Sequence, residues 1–286
     1  ADGRTEGAFV LTSYGFASDW WFGQGQDSVR DRTHVPPGGE VISDSWHRFA
    51  YYGVRSYGRL FQQVAGPLRL LAGLGVTRNW VTVREDSLLA LERDRGAELP
   101  GLDGSFYATF DLGVQIDTRD LRFDPSHGGT VTWVFQGNLG DLGAFAKGLF
   151  DLRGYLGSPG GEVVLAAELA AQVAVGDVPF HEQGVLAGFE ANPRTLTGVT
   201  GLRGQDRGRV RGPLTALGHL ELRFRPPGFQ VIPTFRGRFI FAVWADAARA
   251  DTWTHFAADP PLLLGLGGGL RVAFNELSLV RLDLGT

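Results

Sequence analysis

Three features common in other protein classes are missing from this sequence: cysteine, long apolar runs and an excess of basic residues. Without cysteine there can be no disulfide, thiolate metal site or cysteine nucleophile. No segment reaches the roughly 18 apolar residues of a membrane-spanning helix, because the least polar stretch, residues 161–176, carries Glu168 and Gln172. The net charge of −4 argues against a nucleic-acid partner, since such domains are usually basic.

Glycine and aromatic residues are abundant instead. The chain has 42 glycines, where a background of about 7% would give roughly 20. They lie inside apolar runs, as at sheet bends, and not in serine-rich linkers. Seven Trp, six Tyr and 20 Phe are typical of strands. The first residues, ADGRTEG, have no basic start and no apolar core, so for an exported protein we expect the mature form after signal-peptide removal.

Period-two alternation of polar and apolar residues dominates the chain. It is cleanest at 109–117, 219–225, 238–246 and 280–284. Noisier strands are predicted at 7–18, 46–60, 67–80, 129–139, 143–155, 161–175 and 262–274. These segments give about eleven strands, many of them near the 9–11 residues that cross a bilayer when tilted. With no domain boundary and no repeat of fixed period, we predict a single domain over residues 1–286.

Three long loops interrupt the predicted strands, at about 19–45, 81–103 and 181–212. The second contains a possible short helix at 87–94. In the first, the pair Trp20–Trp21 fits either an interfacial aromatic belt or packing within a loop.

Two all-β architectures are compatible with this alternation. A soluble sandwich buries its apolar faces, whereas a membrane barrel turns them to lipid and lines its interior with polar residues. The strand lengths favour the barrel, since they exceed the usual five or six residues. So do the polar faces, which mix Arg with Asp and Glu where a sandwich would show Lys, Thr and Ser; Lys147 is the single lysine.

Specific motifs connect the sequence to a known family. The loop sequence Gly-Leu-Arg-Gly-Gln carries Arg203 and Gly204, and a strand with Glu221-Leu222-Arg223 follows. Upstream, residues 105–129 end a strand in Asp-Thr-Arg-Asp before a Pro and Gly turn; downstream come FIFAVWADA, LGLGGGLRVAF and RLDLG. In this order the motifs resemble the Omp85 (BamA-like, bacterial surface antigen) superfamily of outer-membrane β-barrels.

The resemblance implies a transmembrane antiparallel β-barrel, sixteen-stranded in the family, in the bacterial outer membrane. It implies that the loop folds into the lumen and that Arg203 meets carboxylates on the wall, here Glu221 and Asp246. The strand parity agrees, because both carboxylates fall on polar faces. It also assigns Asp117, Arg119, Asp120, Pro125 and Gly128 to the family's strand and turn motif.

The function implied by the resemblance is assembly or translocation of outer-membrane proteins. Two alternatives stay open: a structural barrel that anchors partner proteins in an envelope complex, and a passive pore plugged by the loop. The expected partners are outer-membrane lipid and other envelope proteins, with no nucleic acid. Because only about eleven of sixteen strands are readable, we hypothesise that strands are missing from this chain or supplied by a partner chain. No POTRA or patatin-like domain is predicted in these residues.

Enzymatic chemistry finds no support in the sequence. The six histidines are scattered without metal-ligand spacing, and GSPGG at 157–161 lacks the strand-to-helix context of a nucleophile elbow. The run GLGGGL at 265–270 lacks the lysine and helix of a phosphate loop. We therefore predict no catalytic residue, no metal and no cofactor.

Overall fold

The computed structural model describes residues 4–24, 44–189, 194–232, 235–252, 262–274 and 278–286. Its strands are, in chain order, β1 (Thr5–Trp20), β2 (Arg48–Ala65), β3 (Leu68–Thr82), β4 (Ser105–Asp117), β5 (Gly128–Gly140), β6 (Gly143–Gly157), β7 (Val163–Gly176), β8 (Val185–Leu186), β9 (Arg194–Thr195), β10 (Leu214–Phe224), β11 (Phe229–Ile232), β12 (Phe235–Asp251), β13 (Leu263–Phe274) and β14 (Ser278–Gly285). One helix, α1, spans Leu88–Asp94, and short 3-10 turns lie at Asp44–His47 and Phe180–Glu182.

Nearly all the strands join one antiparallel sheet. Its path runs β1-β2-β3-β4-β5-β6-β7-β10-β12-β13-β14, and β11 pairs with β12 off this path, so the sheet has 12 strands. The eleven strands of the path coincide with the eleven predicted from alternation. The remaining two, β8 and β9, pair with each other inside the connection from β7 to β10.

Exposure along the strands decides between the two candidate architectures. On β4 the apolar residues Phe110, Leu112 and Val114 are exposed, while Asp111 and Gln115 are buried. A soluble sandwich would show the opposite pattern, because its apolar faces pack against each other. The apolar outer face and polar inner face are those of a membrane barrel.

The sheet curves around the connection at residues 177–213, which we call the lumen loop. At one edge of the sheet, Arg211 of the loop contacts Asp19 of the edge strand β1 at 3.3 Å. At the opposite edge, Arg203 contacts Asp283 of the edge strand β14 at 3.4 Å. One segment thus touches both edge strands of the path. The hypothesis that further strands complete the barrel stays a prediction.

The connections divide the sheet into two ends. The strands β1, β3, β7 and β12 run the same way, so the long connections that follow them begin at one end of the sheet, the long-loop end. The connections at the opposite, short-turn end are shorter, as between β2 and β3 or between β6 and β7.

An apolar cluster covers the long-loop end. It contains Trp21, Phe49, Leu89 and Phe180. Helix α1 contributes to it and begins at Ser87, whose side chain accepts a hydrogen bond from the Ala90 amide as an N-cap should. Trp21 is fully buried, so it packs within the loops and does not belong to an aromatic belt. In the described part of the chain, no helix has the length and apolar character needed to cross a membrane.

Candidate functional site

Buried leucines hold the described part of the lumen loop in place. Leu186, Leu196 and Leu202 pack with Leu217 of β10 and Ala248 of β12 in one apolar cluster. Near the loop's tip, the Leu202 amide donates to the Leu196 carbonyl at 2.8 Å, and the Gly198 amide donates to the Leu202 carbonyl at 3.0 Å. The packed leucines therefore fix the position from which the next residue, Arg203, reaches the wall.

Arg203 binds the two carboxylates that the resemblance implied. Its Nε and Nη2 donate to Asp246 at 2.7 and 2.6 Å, and its Nη1 donates to Glu221 at 2.7 Å. The guanidinium also lies over the ring of Trp244, 4.1 Å from the centroid. Paired donors on one carboxylate and a stacked ring suit the planar guanidinium and would not suit a lysine. Burial opposes the charge, yet the hydrogen bonds to Asp246 and Glu221 raise the pKa of Arg203 above its ordinary value.

The wall carboxylates have further partners. Glu221 accepts from Arg271 Nη1 and from Arg223 Nε, both at 2.6 Å. Asp246 accepts from the Arg203 backbone amide at 3.2 Å. Arg203 is therefore part of a charge network, and it contacts carboxylates from the three strands β10, β12 and β14.

Glycine at position 204 follows from the backbone. Its φ of 82° lies in the left-handed region, and a side chain there would collide with the backbone of Thr286. On the wall beneath, a side chain at Gly265 would collide with the carbonyl oxygen of Arg203. Both glycines allow the loop to approach the sheet closely.

A second docking point was not predicted from the sequence. Arg194 of β9 contacts Asp151 of β6 at 3.1 Å and forms an ion pair with Glu168 of β7. Asp151 and Glu168 lie on the inner faces of predicted strands, but the loop arginine that binds them carries no motif.

A third docking point, also missed, lies near the beginning of the lumen loop. Glu182 accepts from Lys147 Nζ and Arg55 Nη2, each at 2.7 Å, and from the Tyr107 hydroxyl at 2.8 Å. Burial raises the pKa of Glu182, but Lys147 and Arg55 lower it more, so the pKa lies well below its usual range. The one available signal was Lys147 itself, a single lysine in the middle of an alternating strand.

The strand and turn motif lies at the short-turn end of the sheet. Asp117 ends β4 and binds Arg119 through two hydrogen bonds of 2.9 and 2.7 Å. Asp120 accepts from the amides of Ser126 and Leu121, at 2.8 and 2.9 Å, which fixes the turn. These contacts give the motif a turn-forming role.

Two residues of that motif complete the turn. The Pro125 carbonyl accepts from Arg225 at 2.8 Å. Gly128 opens β5 with a φ of 85°, a conformation that favours glycine.

Two cavities flank the tip of the lumen loop. One cavity, of about 580 Å³, is lined mainly by residues of β4–β7 and β10, which include Thr132, Tyr155 and Arg223. The other, of about 830 Å³, lies towards β1 and β14. Val199, Thr200, Arg203 and Arg281 line both. The loop tip thus forms part of the partition between the two cavities.

The described side chains are arranged for ion pairing. Within the part of the chain that the structure describes, no three His, Asp or Glu side chains are placed to hold a metal. The observed geometry supports a docked loop inside a curved wall. The roles of Arg203, Glu221 and Asp246 beyond that docking stay a prediction.

The fold is similar to a solved structure of BamA. The match is the crystal structure of BamA from Haemophilus ducreyi lacking POTRA domains 1–3, with a TM-score of 0.58 and 13% sequence identity. It covers 98% of this chain and 58% of the BamA chain. No protein-family model and no curated protein matches the sequence. The chain therefore has a BamA-like antiparallel barrel fold, as the sequence motifs predicted.

Proposed function

We propose that this protein is an integral outer-membrane barrel of the Omp85 type that works in the assembly or translocation of outer-membrane proteins. The observation that carries the proposal is the docking of Arg203 on Glu221 and Asp246 inside a BamA-like wall. Fold similarity alone is compatible with several functions, whereas an arginine-glycine loop tip held by wall carboxylates is a specific site.

The outer surface supports placement in a membrane. Large apolar side chains are exposed on both edge strands and on the central ones, as at Phe9, Leu112, Trp133 and Leu284. Contiguous exposed apolar surface of this kind is rare on soluble monomers. By the usual pattern of such barrels, the long-loop end would be extracellular and the short-turn end periplasmic.

In this proposal the lumen loop controls the interior. It occupies the space enclosed by the sheet and is held by ion pairs that can break and re-form without changing the sheet. The expected partners are outer-membrane lipid, client proteins and other envelope proteins, including a partner chain that completes the barrel.

The proposal can be tested by reconstitution. Vesicles containing the full chain should accelerate the folding of an added, urea-unfolded model barrel protein, compared with empty vesicles. The Arg203→Ala variant should lose most of that acceleration, whereas Arg93→Ala, which removes an exposed ion pair on α1, should keep it. Equal folding rates in all vesicles would contradict an assembly role.

A plugged pore is the second candidate function. It is favoured by the two cavities, because the loop tip lies between them and would block a passage that joins them. If the loop only blocks a pore, Arg203→Ala should raise ion conductance in planar bilayers without any effect on client folding. A structural anchor would instead show neither effect and would copurify with stoichiometric partners.

A further inference from the structure

One histidine lies between two of the docking points of the lumen loop. His219 is on β10, where it is paired in register with Glu168 of β7 on one side and Asp246 of β12 on the other. Its Nδ1 is 2.7 Å from Asp246 Oδ1, and its Nε2 is 4.0 Å from Glu168 Oε2. The imidazole thus bridges two carboxylates across three neighbouring strands.

Each of those carboxylates also holds an arginine of the lumen loop. Glu168 binds Arg194, and Asp246 binds Arg203. His219 therefore shares both of its carboxylate neighbours with the loop. Glu168 and Asp246 connect His219 to a wider ion-pair network, which contains Asp151 and Arg153 on β6, Glu221 on β10, and Arg194 and Arg203 on the loop.

Docking of the loop and protonation of His219 oppose each other. The docked loop brings two guanidinium groups onto the carboxylates that would otherwise stabilise an imidazolium, and charges of the same sign at this spacing repel. Because linkage is reciprocal, a proton on His219 must weaken loop docking by the same factor as docking weakens proton binding.

We propose that His219 is a proton-binding site that controls the docking of the lumen loop, so that protonation releases Arg194 and Arg203 from the wall. Imidazole is the side chain that ordinarily changes charge near neutral pH, and the arginines around it do not. This inference concerns control of the loop and goes beyond the proposed function, since it holds whatever passes through the barrel.

Two other described histidines do not share this arrangement. His181 is on the lumen loop, but burial lowers its pKa to about 3, so it stays neutral between about pH 7.5 and about pH 5. His127 is exposed in the turn before β5 and faces Asp120 at 3.8 Å. It offers a matched control, because it is a histidine beside a carboxylate in a turn that precedes β5, outside the lumen loop.

The test measures the position of the loop directly. As the chain has no cysteine, nitroxide labels can be placed on Val199→Cys at the loop tip and Leu169→Cys on the outer face of β7. Pulsed electron paramagnetic resonance of the full chain in lipid vesicles then gives the distance between them at about pH 7.5 and about pH 5, on either side of the usual imidazole range.

At the lower pH we expect a second, displaced distance whose population grows several-fold. His219→Asn should keep one docked distance at both pH values, whereas His127→Asn should behave like the parent. His219→Gln, the second neutral variant, guards against a folding defect, and heat-modifiable mobility on gels reports folding independently.

A parent chain without any pH-dependent distance would overturn the proposal. So would a His219→Asn or His219→Gln chain that folds and keeps the full change. The distance is measured without a client or a conductance assay, so failure here and failure of the assembly proposal are distinguishable.

Discussion

Two docking points of the lumen loop have opposite polarity: the one at Glu182, near the beginning of the loop, which we call the root, and the one at Arg203, the tip. At the root, the loop provides a carboxylate, Glu182, and the wall provides the cations Lys147 and Arg55. At the tip, the loop provides a cation, Arg203, and the wall provides carboxylates. Because the polarities are reversed, a loop that slid along the wall would bring like charges together. The reversed charges at Glu182 and Arg203 therefore favour one register of the loop inside the sheet.

The root should be the stronger of the two. Substituting Glu182→Ala leaves Lys147, which is 1% exposed, without a charged partner, and an uncompensated buried charge costs about 3–5 kcal/mol. Substituting Arg203→Ala should cost less, about 1–3 kcal/mol, because Glu221 keeps Arg271 and Arg223 and Asp246 keeps His219.

Free energies of unfolding from denaturant titrations in lipid vesicles would compare the two. Glu85→Ala, which removes an exposed partner of Arg93, should change stability by less than about 1 kcal/mol. If Arg203→Ala lowered the free energy of unfolding more than Glu182→Ala, the ranking of root over tip would be wrong.

The tip also depends on glycine. Gly204→Ala places a side chain at a φ of 82°, which costs roughly 1–2 kcal/mol, and adds a collision with Thr286. We expect a fall in unfolding free energy of at least that size and a larger displaced population of the loop tip. The matched control is Gly148→Ala on β6, where an added methyl group meets nothing within 4 Å. If Gly204→Ala and Gly148→Ala were equally stable, glycine would not be required at position 204.

Mild acid should affect the root and the tip differently, and we expect the smaller effect at the root. The pKa of Glu182 is held well below its usual range, so the stability that it provides is present above the ordinary glutamate pKa of about 4.3. It is lost only as the pH falls through the lower value in the folded protein. Hydrogen exchange of root peptides around 180–187, corrected for the intrinsic rate, should therefore be unchanged between about pH 7.5 and about pH 5.

Peptides that cover the tip should exchange faster at the lower pH if His219 acts as proposed. Faster exchange at the root as well would indicate that the whole barrel loosens.

The comparison of root and tip also shows what sequence reasoning can reach. Alternation located the strands because each strand's own residues decide which face is apolar. The arginine-glycine motif located the tip. Glu182 was not found, because its partners Arg55, Tyr107 and Lys147 come from three different strands and meet it only after the sheet has curved. Trp21 was ambiguous for a related reason, since its burial depends on Phe180, a residue of another loop.

The curvature of the sheet has a consequence for the order of folding. The contacts that bind the lumen loop to the two edge strands join residues 192 and 80 positions apart in sequence. Closing such long loops costs more entropy than forming neighbouring hairpins, so these contacts should form late. Hairpins would then assemble first into an open sheet, and the loop would act as the template around which that sheet bends. Maturation of this barrel would be completed from the inside.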